Sequence, residues 1–363
     1  MRILHLIPSL SGGGAERQLQ LILPLLEQQG YENHVLYLYG DDHRTTFCLP
    51  NSQLHHFPVN SNYSPRILLK IIRLIHVIRP NIIHSWIMQM DILAGIVSCL
   101  YNIPWVLREP SCADAGYNHW KFRIRAKLGS RARAIIANST EGRDYWQKIY
   151  PNKEIHIIQN ILPITEINNQ PSLGRRSLDL NESQKIILFA GRLDAGKNLK
   201  ILFEALFPLL QKNPNLTFII CGNGVDQPML KETATGAGVS RQTRFMGHVA
   251  REKLWGIMKT ADAFAFISLF EGLPNAVIEA AACGAPLLLS DIPAHRNLFD
   301  EASARFVPAD NASAIRTAIA EMLSGDCTGQ VANARRQIAR FAGEAIIEQY
   351  KTFYHKTLEG SNA

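Results

Sequence analysis

The chain lacks most of the features that mark a protein's class at once. Its 363 residues contain no run of about 18 uncharged apolar residues, so no membrane-spanning helix is expected. The start, MRILHLIPSL, has one basic residue and too short an apolar run for a signal peptide, and it fits a first β-strand better. Six cysteines (Cys48, Cys99, Cys112, Cys221, Cys283, Cys327) are scattered with no Cys-x-x-Cys spacing, which argues against zinc and leaves reduced, buried thiols as the expectation. Charged residues are only 19% against 47% hydrophobic, which excludes wholesale disorder and leaves material for two cores. No aromatic-basic nucleic-acid module is visible, so no nucleic-acid partner is expected. Neither glycine loop, at 12–14 or at 222–224, completes Gly-x-Gly-x-x-Gly, because Arg17 stands where the first would need its third glycine. A nicotinamide oxidoreductase is disfavoured on that ground.

What charge there is leans positive, with a net +7 and a pI near 9.1, and points to an anionic partner. Residues 1–170 carry 17 basic against 12 acidic residues, a net +5, while residues 171–363 carry 21 against 19, a net +2. The densest stretch is 121–133, with Lys121, Arg123, Arg125, Lys127, Arg131 and Arg133 and no acid. Phe122, Ile124 and Leu128 interleave with them, so the stretch reads as a basic amphipathic helix for peripheral membrane contact rather than as a solvated face.

The order of elements predicts an α/β protein. Residues 2–10 form a strand, the loop Ser11-Gly12-Gly13-Gly14 follows, and a helix carries Leu19, Ile22, Leu23 and Leu26 at helical spacing up to Gly30. Further strands are expected at 33–39, 82–86, 104–107, 134–137 and 155–158, with helices at about 65–79 and 91–100 between them. The polar stretch 166–184 reads as a linker. The pattern then restarts, with strands at 185–190, 216–221 and 245–247, and it ends in a helix at about 343–358. Repeated β-α units predict two parallel sheets, hence a domain over 1–165 and a second over 185–342.

The stretch that organises the second half is SLFEGLPNAVIEAAACGAPLLLSD, from Ser268 to Asp291. An apolar strand at 263–267 leads into a Glu-Gly-Leu-Pro-Asn turn. Asn275 is placed as the N-cap of a helix from Ala276 to Cys283, which Gly284 and Pro286 end. Glu271 in the loop and Glu279 in the helix are separated by seven residues. Such a loop lies at the carboxyl edge of the strands, where α/β sheets bind ligands and a helix N-terminus favours an anion. Two carboxylates beside anion-seeking N–H groups suit a ligand with both hydroxyls and phosphate, such as a nucleotide sugar. Glu279 sits among Ala, Val, Ile and Cys, and a buried carboxylate without a partner is costly.

This stretch resembles the Glu-x7-Glu motif of the retaining glycosyltransferases of family 4, and the resemblance extends over essentially the whole chain. It implies a GT-B fold: two Rossmann-like domains with parallel sheets facing across a central cleft, with the terminal helix crossing back to the first. It implies transfer of a sugar from a nucleotide donor, UDP-linked, to a saccharide acceptor in surface polysaccharide or glycan biosynthesis, and the basic first half points to an acceptor carried on polyprenyl diphosphate at the cytoplasmic face of the membrane. A hexosyl- or N-acetylhexosaminyltransferase is the expected enzyme. Charge that develops on the β-phosphate needs a cation. No Asp-x-Asp pair occurs to hold a metal, so no metal or cofactor is expected and the task falls to Arg192 and Lys197, the family's Arg-x4-Lys pair. By the same resemblance Glu271 contacts the transferred sugar and Glu279 the ribose. Gly13, Gly14, Gly191, Gly222, Gly272, Leu273 and Asn275 line the donor. Where many relatives carry a histidine near the end of the strand at 104–110, this chain has Arg108 and Glu109. These two, with Arg17 and His84, are the acceptor-side candidates. The competing reading is a nucleotide-sugar epimerase of related two-domain build, which would act on the donor alone. A non-catalytic nucleotide-binding protein is the third, disfavoured by intact Arg192, Lys197 and Glu271.

Overall fold

A computed structural model of the chain describes residues 1–10, 13–40, 53–61, 64–109 and 120–359. The chain divides into two compact units, residues 1–161 with 341–363, and residues 162–340. Cys48 and Cys112 lie outside the described residues; Cys221 and Cys283 are buried, while Cys99 is exposed.

The first unit is built on seven parallel strands: β1 (Arg2–Leu6), β2 (Glu32–Tyr37), β3 (Leu54–His56), β4 (Ile82–Ser85), β5 (Trp105–Glu109), β6 (Ala134–Ala137) and β7 (Ile155–Ile157). Their order is β3-β2-β1-β4-β5-β6-β7, so the winding reverses between β1 and β4. Leu4, Leu6, Ile82 and Ile83 are fully buried, as strands covered on both faces require. One face packs against the helix Gly14–Gln28 through Leu19, Ile22, Leu23 and Leu26. The same face takes the terminal helix Gly343–Glu359, which buries Ile346, Ile347, Tyr350, Phe353 and Tyr354 at helical spacing. The opposite face takes the helices Pro65–Ile78 and Met88–Tyr101. Each of these fully buried aliphatic side chains stabilises the unit by roughly 1.5–3 kcal/mol.

The second unit holds six parallel strands: β8 (Lys185–Ala190), β9 (Leu216–Cys221), β10 (Thr243–Gly247), β11 (Ala263–Phe266), β12 (Leu287–Ser290) and β13 (Arg305–Val307). The order β10-β9-β8-β11-β12-β13 reverses between β8 and β11. Two Rossmann-like units with parallel sheets are therefore present, as the repeated β-α pattern predicts.

Three expectations shift. The stretch expected to be a linker carries a short helix, Ile164–Asn169, and buries Ile167, Leu178 and Leu180. Lys259 Nζ donates to the carbonyls of Asn168 and Gln170 (3.1 and 2.5 Å), and Arg175 pairs with Asp262 at 2.7 Å, so the segment is packed onto the second unit. Its few apolar residues, masked by polar neighbours, are what dock it. The strands β3 and β13, three residues each, add to the set expected from the sequence. Arg125, counted among the membrane-facing cations, is buried.

Candidate active site

In the second unit the reversal of strand order places the loops after β8 and β11 side by side, the position where α/β sheets bind ligands. Backbone bonds lace the neighbouring loops together. Gly191 N donates to Cys221 O (2.9 Å), Leu193 N to Asn223 O (3.0 Å), Gly222 N to Gly247 O (2.7 Å) and Leu269 N to Gly196 O (2.9 Å). Gly222 has φ +135, and a Cβ there would lie 1.9 Å from the Gly191 carbonyl oxygen; only glycine permits this approach.

Within this frame Lys197 Nζ donates to Glu271 Oε1 in an ion pair whose side chains are 15% and 10% exposed. The ammonium also lies 5.3 Å from the centre of the Phe266 ring. Arg192, by contrast, is 81% exposed, with a 3.4 Å contact to Asp194 as its nearest charge pairing. The two cations expected on one diphosphate thus differ: one is engaged by a carboxylate, the other stands in solvent. Leu273 and Asn275 follow in the turn, with Asn275 N donating to Leu273 O at 2.9 Å. The helix begins at Asn275 itself with Pro274 as N-cap, one residue earlier than expected, because the Pro274 carbonyl already accepts from Val277 and Ile278. Gly284 ends it with φ +81.

Glu279 lies one turn into that helix and is 7% exposed. Its two oxygens are held separately: Arg251 donates to Oε1 and the Trp255 indole to Oε2, both at 2.9 Å. The cost of burying this carboxylate is therefore met inside the unit, and burial alone does not require a ligand. Arg251 and Trp255 escaped the sequence reading. Their spacing of four does place them on one helix face, but nothing in the sequence says that Glu279 is what this face meets. His295 is a second addition. It is fully buried, with Nδ1 2.9 Å from Ser290 O, while Nε2 has no hydrogen-bond partner. Burial, more than the Lys197 charge, pushes it down to about 4, so it is a neutral imidazole near that ammonium.

The remaining candidates belong to the first unit. Gly13 is the N-cap of the helix Gly14–Gln28, and a Cβ on it would meet the Glu16 carboxylate at 2.0 Å. Gly14 has open space around its Cα, and Arg17 is partly buried in the first turn. His84, at 0% exposure, has Nδ1 2.8 Å from the Tyr354 hydroxyl and stacks on Trp86. Arg108 donates to the Tyr350 hydroxyl and to Asn160 Oδ1 (2.9 Å), again toward the terminal helix. Glu109 accepts from Arg125 (2.5 Å) and from the Trp146 indole (3.0 Å). The side chains of His84, Arg108 and Glu109 thus point into the unit, not out of it.

Arg125 bridges Glu109 and Asp91 (2.6 Å), which corrects its expected place among the membrane-facing cations. The helix Trp120–Gly129 turns the other way with Trp120 (56% exposed), Arg123, Ile124 (40% exposed) and Lys127, two apolar and two cationic side chains on one face. No described helix is long and apolar enough to cross a membrane.

Comparison with known proteins gives consistent matches. The family described as "Glycosyltransferase Family 4" matches residues 12–165, and "Glycosyl transferases group 1" matches residues 173–342. The chain is 27% identical over 346 residues to the N-acetylgalactosamine-N,N'-diacetylbacillosaminyl-diphospho-undecaprenol 4-alpha-N-acetylgalactosaminyltransferase of Campylobacter jejuni, covering 88% of this chain and 89% of that one. It is 26% identical over 226 residues to the glycogen synthase of Mycobacterium tuberculosis, covering 59% of this chain and 53%, about half, of the relative. Among solved structures, Anabaena HepE in complex with UDP matches with a TM-score of 0.80 and 19% identity, over 98% of this chain and 100% of that one, a likeness of fold.

Proposed function

The chain belongs to glycosyltransferase family 4, of the GT-B fold, and from that premise we propose that it moves a hexosyl or N-acetylhexosaminyl group from a UDP-sugar to a saccharide carried on polyprenyl diphosphate. Transfer retains configuration and uses no metal. The observation that carries the reading is the Lys197–Glu271 pair at the strand-order reversal, with exposed Arg192 beside it in sequence and Glu279 one turn into the following helix. The donor's diphosphate takes Arg192 and draws Lys197 onto the oxygens where charge develops as the glycosidic bond breaks. Glu271, released from Lys197, accepts hydrogen bonds from the sugar hydroxyls, and Glu279 accepts from the ribose. Gly191 and Gly222 allow the backbone to close on the nucleotide, and Gly272 to Asn275 line sugar and phosphate.

The UDP in the Anabaena HepE structure supports a uridine donor, and the undecaprenol-linked substrate in the name of the Campylobacter relative supports a lipid-linked acceptor. On the acceptor side Arg17 supplies a contact, while His84, Arg108 and Glu109 shape the unit from within. The face of Trp120, Arg123, Ile124 and Lys127 docks the protein on the cytoplasmic leaflet, apolar rings entering the headgroup region and cations meeting anionic lipid.

The test is a thermal-shift and turnover panel against UDP-, GDP- and ADP-sugars in EDTA, beside Arg192→Ala and Glu279→Ala. Stabilisation by uridine nucleotides, lost in both variants, is expected. Stabilisation by none of the nucleotides overturns the donor site. Conversion of the donor to its epimer with the nucleotide still attached and no acceptor present points to the epimerase class instead. For docking, flotation with vesicles containing anionic lipid is expected to drop in the double substitution Arg123→Ser, Lys127→Ser; unchanged flotation removes the membrane contact.

A further inference from the structure

We infer that Arg251 and Trp255 are positioning residues that aim the Glu279 carboxylate at the two ribose hydroxyls of the donor, so that the preference for a ribonucleotide is set from the helix Arg251–Met258 as well as from Glu279 itself. The inference rests on the donor-site reading above and goes one layer behind it. A carboxylate free to rotate meets a pair of hydroxyls with each oxygen in turn. This one is not free. Arg251 Nη1 holds Oε1 and Trp255 Nε1 holds Oε2, each at 2.9 Å, which fixes the plane of the group as well as its place.

The chemistry of the two donors matters. The indole N–H and the guanidinium can only donate, so both carboxylate oxygens serve as acceptors. An ionised carboxylate offers about four lone-pair directions. One donor on each oxygen leaves one direction free on each, and two vicinal hydroxyls supply the matching donors. The Glu279 side chain is 9% exposed and that of Arg251 is 35%, so the pair reaches the surface at one side rather than closing over itself. The location agrees as well. The helix Arg251–Met258 follows β10 and the helix Asn275–Cys283 follows β11, so both start at the carboxyl edge of the same sheet. A tie that only joined the two helices would not need to occupy the two oxygens from separate side chains.

The experiment measures the affinity of the full chain for whichever nucleoside diphosphate the panel selects and for its 2′,3′-dideoxy form. It compares wild type, Arg251→Gln, Trp255→Phe and Glu279→Gln, with unfolding midpoints confirming that each variant is folded. Loss of aim is expected to weaken the ribonucleotide by about tenfold in Arg251→Gln and in Trp255→Phe, and the dideoxy form by less than about twofold. A structural tie weakens both ligands equally, and that result, or no change in either, overturns the inference. If Glu279→Gln keeps the wild-type preference for ribose, Glu279 is not the ribose acceptor and the donor-site reading falls with the inference. If a variant unfolds, its partner decides, since Trp255→Phe keeps the ring and Arg251→Gln keeps a hydrogen-bonding side chain. A dideoxy form that binds both variants as it binds wild type while the ribonucleotide weakens supports the assignment.

Discussion

Lys197 and Glu271 engage each other in a setting that is 15% and 10% exposed, so each charge is the other's main compensation. Arg192, 81% exposed, compensates nothing buried. The two cations of the proposed diphosphate site should therefore answer differently to removal. Arg192→Ala is expected to leave the unfolding free energy within about 0.5 kcal/mol while abolishing nucleotide stabilisation. Lys197→Ala strands a carboxylate and should cost about 1–3 kcal/mol. Adding Glu271→Ala to it should restore most of that loss, because the cycle removes both partners together, but it should not restore binding. Denaturant unfolding of the four proteins, read beside nucleotide affinity, checks this. Equal stability loss in Arg192→Ala and Lys197→Ala would show that the ion pair does not carry the difference. The types and spacing of Arg192, Lys197, Glu271 and Glu279 were legible in the sequence because a motif is a statement about residue types. Which charges pair with one another was not legible. It depends on side chains brought together from 74 residues apart, as for Lys197 and Glu271, or 28 apart, as for Arg251 and Glu279.

At the scale of the element, the helix Trp120–Gly129 shows how a charge run divides between two roles. Its sequence reads as uniformly basic and amphipathic; Trp120, Arg123, Ile124 and Lys127 share an exposed face, while Phe122 and Leu128, two of the three interleaved apolar residues, are partly buried. Arg125 lies on the other side, 3% exposed, between Asp91 and Glu109, both fully buried. Nothing in the local pattern marks it, because its partners stand on the helix Met88–Tyr101 and on β5. The apolar periodicities of the helices Gly14–Gln28 and Gly343–Glu359 were legible for the opposite reason: burial of a helix face is written into its own spacing. Removing Arg125 leaves two carboxylates without compensation, so Arg125→Met is expected to cost about 3–5 kcal/mol. Burial already raises the Asp91 carboxyl above its ordinary value, against the lowering effect of Arg125. A raised carboxyl favours the fold in its protonated form, a contribution present at low pH and lost as pH rises through the folded value. Without Arg125 that value climbs further, so the variant should gain more stability than wild type on going from pH 7 to pH 5. Unfolding curves at the two pH values decide it; a deficit independent of pH would mean that the triad is not what Arg125 supports.

For the molecule as a whole, the two units carry their buried imidazoles unequally, and this predicts which of them acid attacks first. The first unit holds His5 and His55, both pushed down to about 4 mainly by burial, and His84, pushed well below its ordinary value by burial and by the nearby His5 and Arg108. In the described part of the second unit only His295 is shifted this way. A base whose folded value is depressed favours the fold when neutral. Its contribution is complete above pH 6.5 and is lost as pH falls from there toward about 4. Protonating His5, which is fully buried, then costs on the order of 2–3 kcal/mol at the acid end of that window, and the half-buried His55 costs less. His84 is also where the terminal helix is fastened, through Tyr354, with Tyr350 held by Arg108 beside it. The first unit, closed by that helix, is therefore expected to unfold ahead of the second between pH 6.5 and 4, with Trp86, stacked on His84, as its fluorescent reporter. Calorimetry should show one transition moving down with pH while the other moves less. Replacing His84 by leucine lowers stability at neutral pH through the lost bond to Tyr354, but it also removes a titrating group, so the fall of the first transition between pH 6.5 and 4.5 should become shallower than in wild type. A slope unchanged in that variant would mean that the acid sensitivity of the first unit comes from its carboxylates and not from the imidazoles beneath the terminal helix.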